Sequence, residues 1–429
     1  MGRGGKKGAA DVQQKKTSQQ TTKGLLNARG LEEERWPTVS VKASVFRPFL
    51  FRKMIDRADA NAQAGDLVAV LDRDGKLAGY GLYNPRSEIV LRMLCFGKQP
   101  PQEAFWKQRL EQAVQLRHTL LNLPLTTNAY RVIHAEGDWL PGLVVDRLGD
   151  VLSAEVFSLG VYQRVQALLG LLAPLVGTSH WLVRVDQQIH GQEGFLAEPQ
   201  TSEGCPSHTI IEENGLRFQV DLAGGHKTGF FCDQRDNRRR LAEFCPGRTV
   251  LDLCSYTGGF AVAAKKLGQA EEVTAVDLDE EAVAVARQNG KLNDAAVRWV
   301  HADAFAYMRD MQRAGKQFDV VVLDPPKLIR NRYEMDIGRR KYHDFNRLAL
   351  SLVRSGGILL TCSCSGLLSA AEFQEMIQAS ARHCQPEGSP RPSRNVQMLA
   401  MTGAGGDHPV ATDCPETSYL KAAWLRVGD

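Results

Sequence analysis

Thr249-Val250-Leu251-Asp252-Leu253-Cys254-Ser255-Tyr256-Thr257-Gly258-Gly259-Phe260 is the stretch on which the reading of this 429-residue chain turns. Residues 249–253 read as a buried strand carrying a single acid. Gly258 and Gly259 stand where the chain must turn sharply into a helix. Glycine suits such a turn because it tolerates positive φ and lets a ligand approach the backbone closely. The helix follows over 260–267, and Gly268 ends it.

Three more acids close strands downstream. Residues 272–277 end on Asp277, 297–303 on Asp303, and 318–324 on Asp324, which Pro325-Pro326-Lys327 follows. From Asp252 the acids recur after 25, 26 and 21 residues, the length of one βα unit. The four therefore line the carboxyl edge of a parallel sheet, where doubly wound α/β folds bind their ligands, and Asp277 stands where an acid takes ribose hydroxyls. A dinucleotide would require Gly-x-Gly-x-x-Gly. The turn reads Ser-Tyr-Thr-Gly-Gly-Phe instead, and Asp-Pro-Pro-Lys has no place in that fingerprint.

The series resembles the class I S-adenosylmethionine-dependent methyltransferases. The resemblance implies a Rossmann-like domain with a doubly wound, mostly parallel sheet. It also implies S-adenosyl-L-methionine as cofactor, held around Asp252, Ser255, Tyr256, Gly258, Asp277, Asp303 and Asp324.

Composition bounds the remainder. The net charge of +4 lies in residues 1–35, which hold eight Lys/Arg against four Asp/Glu, and the rest is balanced at 45 against 45. A nucleic-acid surface must therefore be a local patch and not a global field. Nine cysteines without paired metal spacing indicate a reducing cytosol and no metal site. No apolar run reaches the length of a membrane span.

Residues 1–35 are too poor in large apolar side chains to fold and are expected to be a disordered basic tail. Residues 36–104 read as a small β-rich domain. Val39, Val41, Ala43 and Val45 alternate with polar residues, and Asp72-Arg73-Asp74-Gly75 marks a hairpin. This part resembles the PUA domain, a compact RNA-binding barrel, with Arg47-Pro48-Phe49-Leu50-Phe51 where relatives carry His-Pro-Trp-Val-Phe. Residues 105–215 read as an α+β unit opened by an amphipathic helix over 102–121, and it resembles the central domain of one ribosomal RNA methyltransferase family. Asp146-Arg147 reads as a turn-stabilising ion pair, and His134 and His190 as structural or solvent-facing.

Residues 216–429 form the methyltransferase domain. A strand over 216–221 leads into Gly225-His226-Lys227-Thr228-Gly229-Phe230-Phe231-Cys232-Asp233-Gln234-Arg235-Asp236-Asn237-Arg238, in which Asp233 is a good N-cap. That run closely resembles the segment before the cofactor sheet in the large-subunit ribosomal RNA methyltransferase I family. It brings Gln234 and Arg235 into the cofactor site as the resemblance implies.

Two stretches bear on the reaction. Pro325 and Pro326 rigidify the loop after the fourth strand. Enzymes that methylate exocyclic amines often place an aromatic next, but this chain has Lys327, which offers charge and donors without a stacking face. Gly356-Gly357 opens a strand running out near Cys362-Ser363-Cys364. Carbon-5 of cytosine becomes nucleophilic only after a thiolate adds to carbon-6, and cysteine suits that step. In RNA cytosine carbon-5 methyltransferases a cysteine occupies this strand end, and counting from the glycine pair it falls on Cys364. The resemblance thus implies Cys364, Asp324 and Lys327 as the catalytic set. It also implies large-subunit (23S) ribosomal RNA as partner, a homodimer as a candidate assembly, and no membrane. Sequence physics alone leaves two alternatives open: a base-nitrogen methyltransferase of the same architecture, and a catalytically silent RNA-binding relative.

Overall fold

A computed structural model of the chain describes residues 36–224, 229–384 and 393–428. The basic tail over 1–35 and the turn residues 225–228 lie outside the described residues. The chain packs as two compact units. One runs to Thr209 and adds Asp221–Phe230 and Asp407–Pro415; the other takes Ile210–Val220, Phe231–Gly406 and Glu416–Asp429.

In the second unit, β1 (Thr249–Leu253) has Val250, Leu251 and Leu253 fully buried, as a strand covered on both faces must. It is followed by α1 (Gly259–Lys266), β2 (Glu272–Asp277), α2 (Glu280–Leu292), β3 (Arg298–His301), α3 (Ala304–Arg313) and β4 (Phe318–Leu323). Then come α4 (Met335–Leu352), β5 (Val353–Ser363), α5 (Ala370–Arg382), β6 (Val396–Thr402) and β7 (Lys421–Val427). These strands form one seven-stranded sheet in the order β3-β2-β1-β4-β5-β7-β6. The first five are parallel, while β7 runs antiparallel to β5 and β6. The order reverses between β1 and β4, so the loops leaving these strands flank the ligand crevice of the fold. Leu251, Leu253, Val321, Leu323 and Leu359 pack on one face with Leu348 and Phe373. Val250, Val322, Leu360 and Cys362 pack on the other with Phe260 and Ala264.

The strand expected over 216–221 does form, as Leu216–Asp221, but it pairs only with His208–Glu213 in a two-stranded sheet. Within the second unit this hairpin is pinned by Asn293 Oδ1 on Arg217 N and Asn289 Oδ1 on Gln219 N. Glu213 adds a buried two-pronged ion pair with Arg238 at 2.7 and 2.6 Å.

The first unit holds a six-stranded sheet from Thr38 to Phe96 and a five-stranded sheet from Ala129 to Thr201. The two segments expected as separate domains share one hydrophobic core, in which Leu67, Tyr80 and Leu94 cluster with Trp106, Tyr130 and Leu168. The helix expected over 102–121 spans Glu103–Gln115 and widens to a π turn over Leu116–Leu120. There Arg117 turns inward to Ala113 O and, at 2.5 and 2.8 Å, to Asp138.

The Asp146-Arg147 ion pair does not form. Asp146 is fully buried against Arg131, 2.5 Å away, while Arg147 donates to Gly149 O and the Tyr130 hydroxyl. His134 packs edge-on against His408, with ring centroids 5.1 Å apart, and lies 3.0 Å from Arg131 Nη1. Asp407–Pro415, expected in the methyltransferase domain, belongs to this unit because Asp407 accepts from Arg131 N through its carboxylate and from Arg117 through its carbonyl.

Candidate active site

The carboxyl edge of the seven-stranded sheet gathers all four acids predicted from the sequence. Burial pushes the Cys254 thiol well up, and the carboxylates of Asp277, Asp324, Asp252 and Asp303 push it further. Asp252 is buried, and Oδ2 accepts from Ala261 N in the first turn of α1 at 3.0 Å. Burial, then the Asp324 charge, drives its carboxyl well above the usual range. Asp303 is exposed and caps α3 through Ala306 N. Asp324 is half-buried and accepts from Gln234 Nε2 at 3.0 Å, while Gln234 Oε1 accepts from Asn237.

The turn after β1 is strained. Cys254 and Tyr256 hold φ of +60° and +47°, a region non-glycine residues seldom occupy. Asp277 compensates: Oδ2 accepts from Tyr256 N at 2.7 Å and Oδ1 from Asp279 N at 2.9 Å. Tyr256 also stands edge-on to Phe231, with ring centroids 5.1 Å apart. Gly258 has φ +85°, and a Cβ there would lie 2.6 Å from Trp299 Cη2. Trp299 and the backbone conformation thus already require glycine at this position.

Asp277 therefore fastens the turn. An Asp277→Ala variant is expected to lose about 1.5–3 kcal/mol of cofactor affinity, the scale of a hydrogen bond to a charged group. It should also loosen the turn, so its melting temperature should fall, which a freely exposed acid would not cause. Calorimetric titration beside thermal unfolding checks both, and unchanged affinity removes Asp277 from the cofactor site.

Asp233 does not act as the expected N-cap. It lies within a 3₁₀ turn, Cys232–Gln234, and its Oδ2 accepts from the Tyr419 hydroxyl at 2.6 Å. Gln234 and Arg235 are both buried at the head of the helix Arg235–Ala242, with Arg235 Nε 3.5 Å from Asp236. Gln234 thus reaches the site through Asp324.

The two candidate thiols differ in setting. Cys362 is fully buried inside β5, opposite Ala422. Burial and then the Asp324 carboxylate push its thiol well up. Cys364 lies just past the end of β5 and is partly exposed. The next residue, Ser365, is fixed from behind: its Oγ accepts from Ile329 N at 3.2 Å and lies 3.0 Å from the Tyr342 hydroxyl.

Sequence reading missed Lys421, a buried lysine opposite Ser363 on β7. Its Nζ donates to Ser365 O at 2.6 Å and to Tyr419 O at 2.8 Å. Burial brings its pKa down to about 8; Cys364 opposes the shift, and Lys327 adds to the lowering. One local signal stood in the sequence, a lone lysine in an otherwise apolar strand. The unfolded lysine, with its ordinary value of 10.5, holds its proton between about pH 8 and 10.5 while the folded one releases it. The unfolded state binds more protons in that window, so stability should rise with pH across it. Lys421→Met should remove that rise, as denaturant titrations at several pH values would show.

The family model of S-adenosylmethionine-dependent methyltransferases matches residues 130–384, and that of PUA-like domains matches residues 42–96. A ribosomal RNA large subunit methyltransferase I from Tolumonas auensis is 38% identical, over 88% of this chain and 95% of its own length. The chain belongs to that family. Its relative of the same name from Escherichia coli is 36% identical over 89% of this chain and 95% of its own. Among solved structures, an S-adenosylmethionine-dependent methyltransferase from Streptococcus mutans superposes with a TM-score of 0.73 at 20% identity, covering 91% of this chain and 99% of its own. A methyltransferase complexed with S-adenosylhomocysteine gives 0.74 at 21% identity over the same shares. The fold is that of the S-adenosylmethionine-dependent methyltransferases, with a PUA-like domain ahead of it.

The residues present fit the family's cofactor, S-adenosyl-L-methionine. Oδ1 of Asp252 and Oγ of Ser255 are buried with no partner among the described residues. Buried polar atoms are seldom left so, and an amino acid moiety with an ammonium and a carboxylate can satisfy both. Leu278, 64% exposed directly after Asp277, offers an apolar surface to an adenine. Among the described residues no cluster of ligating side chains could hold a metal, and no helix is long and apolar enough to cross a membrane.

Proposed function

We propose that this protein methylates carbon-5 of a cytosine in large-subunit (23S) ribosomal RNA, with Cys364 as nucleophile. The observation that carries the reading is the partly exposed Cys364 thiol at the end of β5, on the sheet edge that bears Asp324-Pro325-Pro326-Lys327. Family membership supports the RNA substrate.

The Cys364 thiolate adds to carbon-6 of the ring, and carbon-5 becomes the nucleophile. Bound S-adenosyl-L-methionine supplies the electrophilic methyl group. Asp324, held by Gln234, favours protonation at ring nitrogen 3 as the thiolate adds. Lys421, whose Nζ binds the carbonyl of the residue after Cys364, adds positive charge on this side and lowers the cost of forming the thiolate, with Lys327 as the second cation of the catalytic set. Once carbon-5 carries the methyl group and S-adenosylhomocysteine has left, water takes the carbon-5 proton, the carbon-6–sulfur bond breaks to return the thiolate, and Asp324 takes back the proton from nitrogen 3. Asp252, Ser255, Tyr256, Gly258, Asp277 and Asp303, with Gln234 and Arg235 behind them, shape the cofactor side.

Mass mapping of large-subunit ribosomal RNA from cells lacking the protein tests this. One cytosine should lose a methyl group on its base, and the purified enzyme should restore it at carbon-5. A methyl group restored on a ring or exocyclic nitrogen overturns the reading.

A further inference from the structure

With the tail set aside the chain carries no net charge, so a local excess of cations needs a cause. One lies directly after Pro326. Residues 327–341 hold Lys327, Arg330, Arg332, Arg339, Arg340 and Lys341 against only Glu334 and Asp336. Arg339 is taken by Glu372. Among the described residues no carboxylate pairs with the side chains of Arg330, Arg332 or Lys341, and all three are exposed.

This segment is a built surface. Ile329 is fully buried, and its N–H is held by Ser365 Oγ, one residue beyond Cys364. A Cβ on Gly338 would come 2.3 Å from Ile329 Cγ1 and 2.6 Å from Leu328 O, so α4 lies directly against the loop. At the tip, Asn331 Oδ1 accepts from Tyr333 N and Glu334 N at 3.0 and 3.1 Å, and Glu334 accepts from Arg330 N. That capped turn holds out Tyr333, which is 96% exposed and packs on no ring among the described residues. An outward tyrosine among unpaired cations, on a frame shared with the residue after Cys364, matches unpaired nucleic acid. Its bases offer faces for stacking and its phosphates offer charge.

We propose that Tyr333, Arg330, Arg332 and Lys341 form the docking surface for unpaired nucleotides flanking the target base, with Tyr333 stacked on a base and the cations on phosphates. The proposal rests on the RNA-methyltransferase reading and adds where the strand beside the target lies.

The test uses the full chain, unmethylated large-subunit ribosomal RNA transcript and labelled S-adenosylmethionine. Tyr333→Ala should raise KM for RNA by roughly tenfold, the scale of one base–aromatic stack, and Tyr333→Phe should restore it. Arg330→Gln with Arg332→Gln should reduce the slope of log affinity against log salt by about 1.4, two single-strand phosphate contacts. Cofactor affinity, kcat and melting temperature should stay near those of the parent. Unchanged KM and salt slope in all variants overturn the proposal. If the parent enzyme methylates none of this RNA, the reaction assignment fails separately. Filter binding to unstructured single-stranded RNA then decides the surface: weakened binding in the variants supports it, and equal binding overturns it.

Discussion

Cys364→Ala is expected to lose both turnover and a covalent complex with 5-fluorocytosine RNA while still binding S-adenosylmethionine. Addition of the thiolate to carbon-6 links enzyme and RNA before methyl transfer. With fluorine at carbon-5 no proton can leave, so the methylated adduct should persist on a denaturing gel and should require cofactor. Turnover should fall on the order of 10⁴-fold or more, as when the nucleophile of a covalent mechanism is removed. Cys362→Ala should keep both activities. Its sulfur is fully buried in β5, and burial with the Asp324 carboxylate keeps it a protonated packing group. An adduct that survives in Cys364→Ala and vanishes in Cys362→Ala would exchange the two roles. Methylation intact with no adduct in any variant would place the enzyme among base-nitrogen methyltransferases.

Gly258→Val should nearly eliminate cofactor binding, for two reasons inside the protein. At φ +85° a branched side chain strains the backbone by about 1–2 kcal/mol or more. Its Cβ would also fall 2.6 Å from Trp299 Cη2 and 3.3 Å from Ala286 Cβ, and overpacking of this kind costs about 1–3 kcal/mol. The strained turn carrying Cys254, Ser255 and Tyr256 would have to move. A double-mutant cycle separates the contributions. Trp299→Ala should relieve Gly258→Ala in part, through the space it opens, and leave the φ penalty. No relief would show that Trp299 is not the obstacle.

Much of the site was legible in the chain because βα units have a nearly fixed length. Acids recurring at that spacing must return to one sheet edge, and Asp252, Asp277, Asp303 and Asp324 do stand at the carboxyl ends of β1 to β4. The turn glycine was legible too, although its steric reason was not. Trp299 follows β1 only after three further elements, α1, β2 and α2, and only the parallel pairing of β2 with β3 brings it near. The cation-rich surface was foreseen only as a necessity for some local patch. Its position became clear once α4 was seen packed on the loop after Pro326.

By itself the sequence determined the doubly wound sheet and its carboxyl-edge acids, because each rests on local periodicity or on spacing along the chain. Tertiary structure alone decided the contacts made across strands. Asp146 and Arg147 are neighbours on a strand, and successive residues point to opposite faces, so Asp146 binds Arg131 directly across the antiparallel pair. Lys421 reaches the residue after Cys364 because the antiparallel β7 sets it opposite Ser363. Cross-strand register depends on how a whole sheet closes, and no run of adjacent residues encodes it.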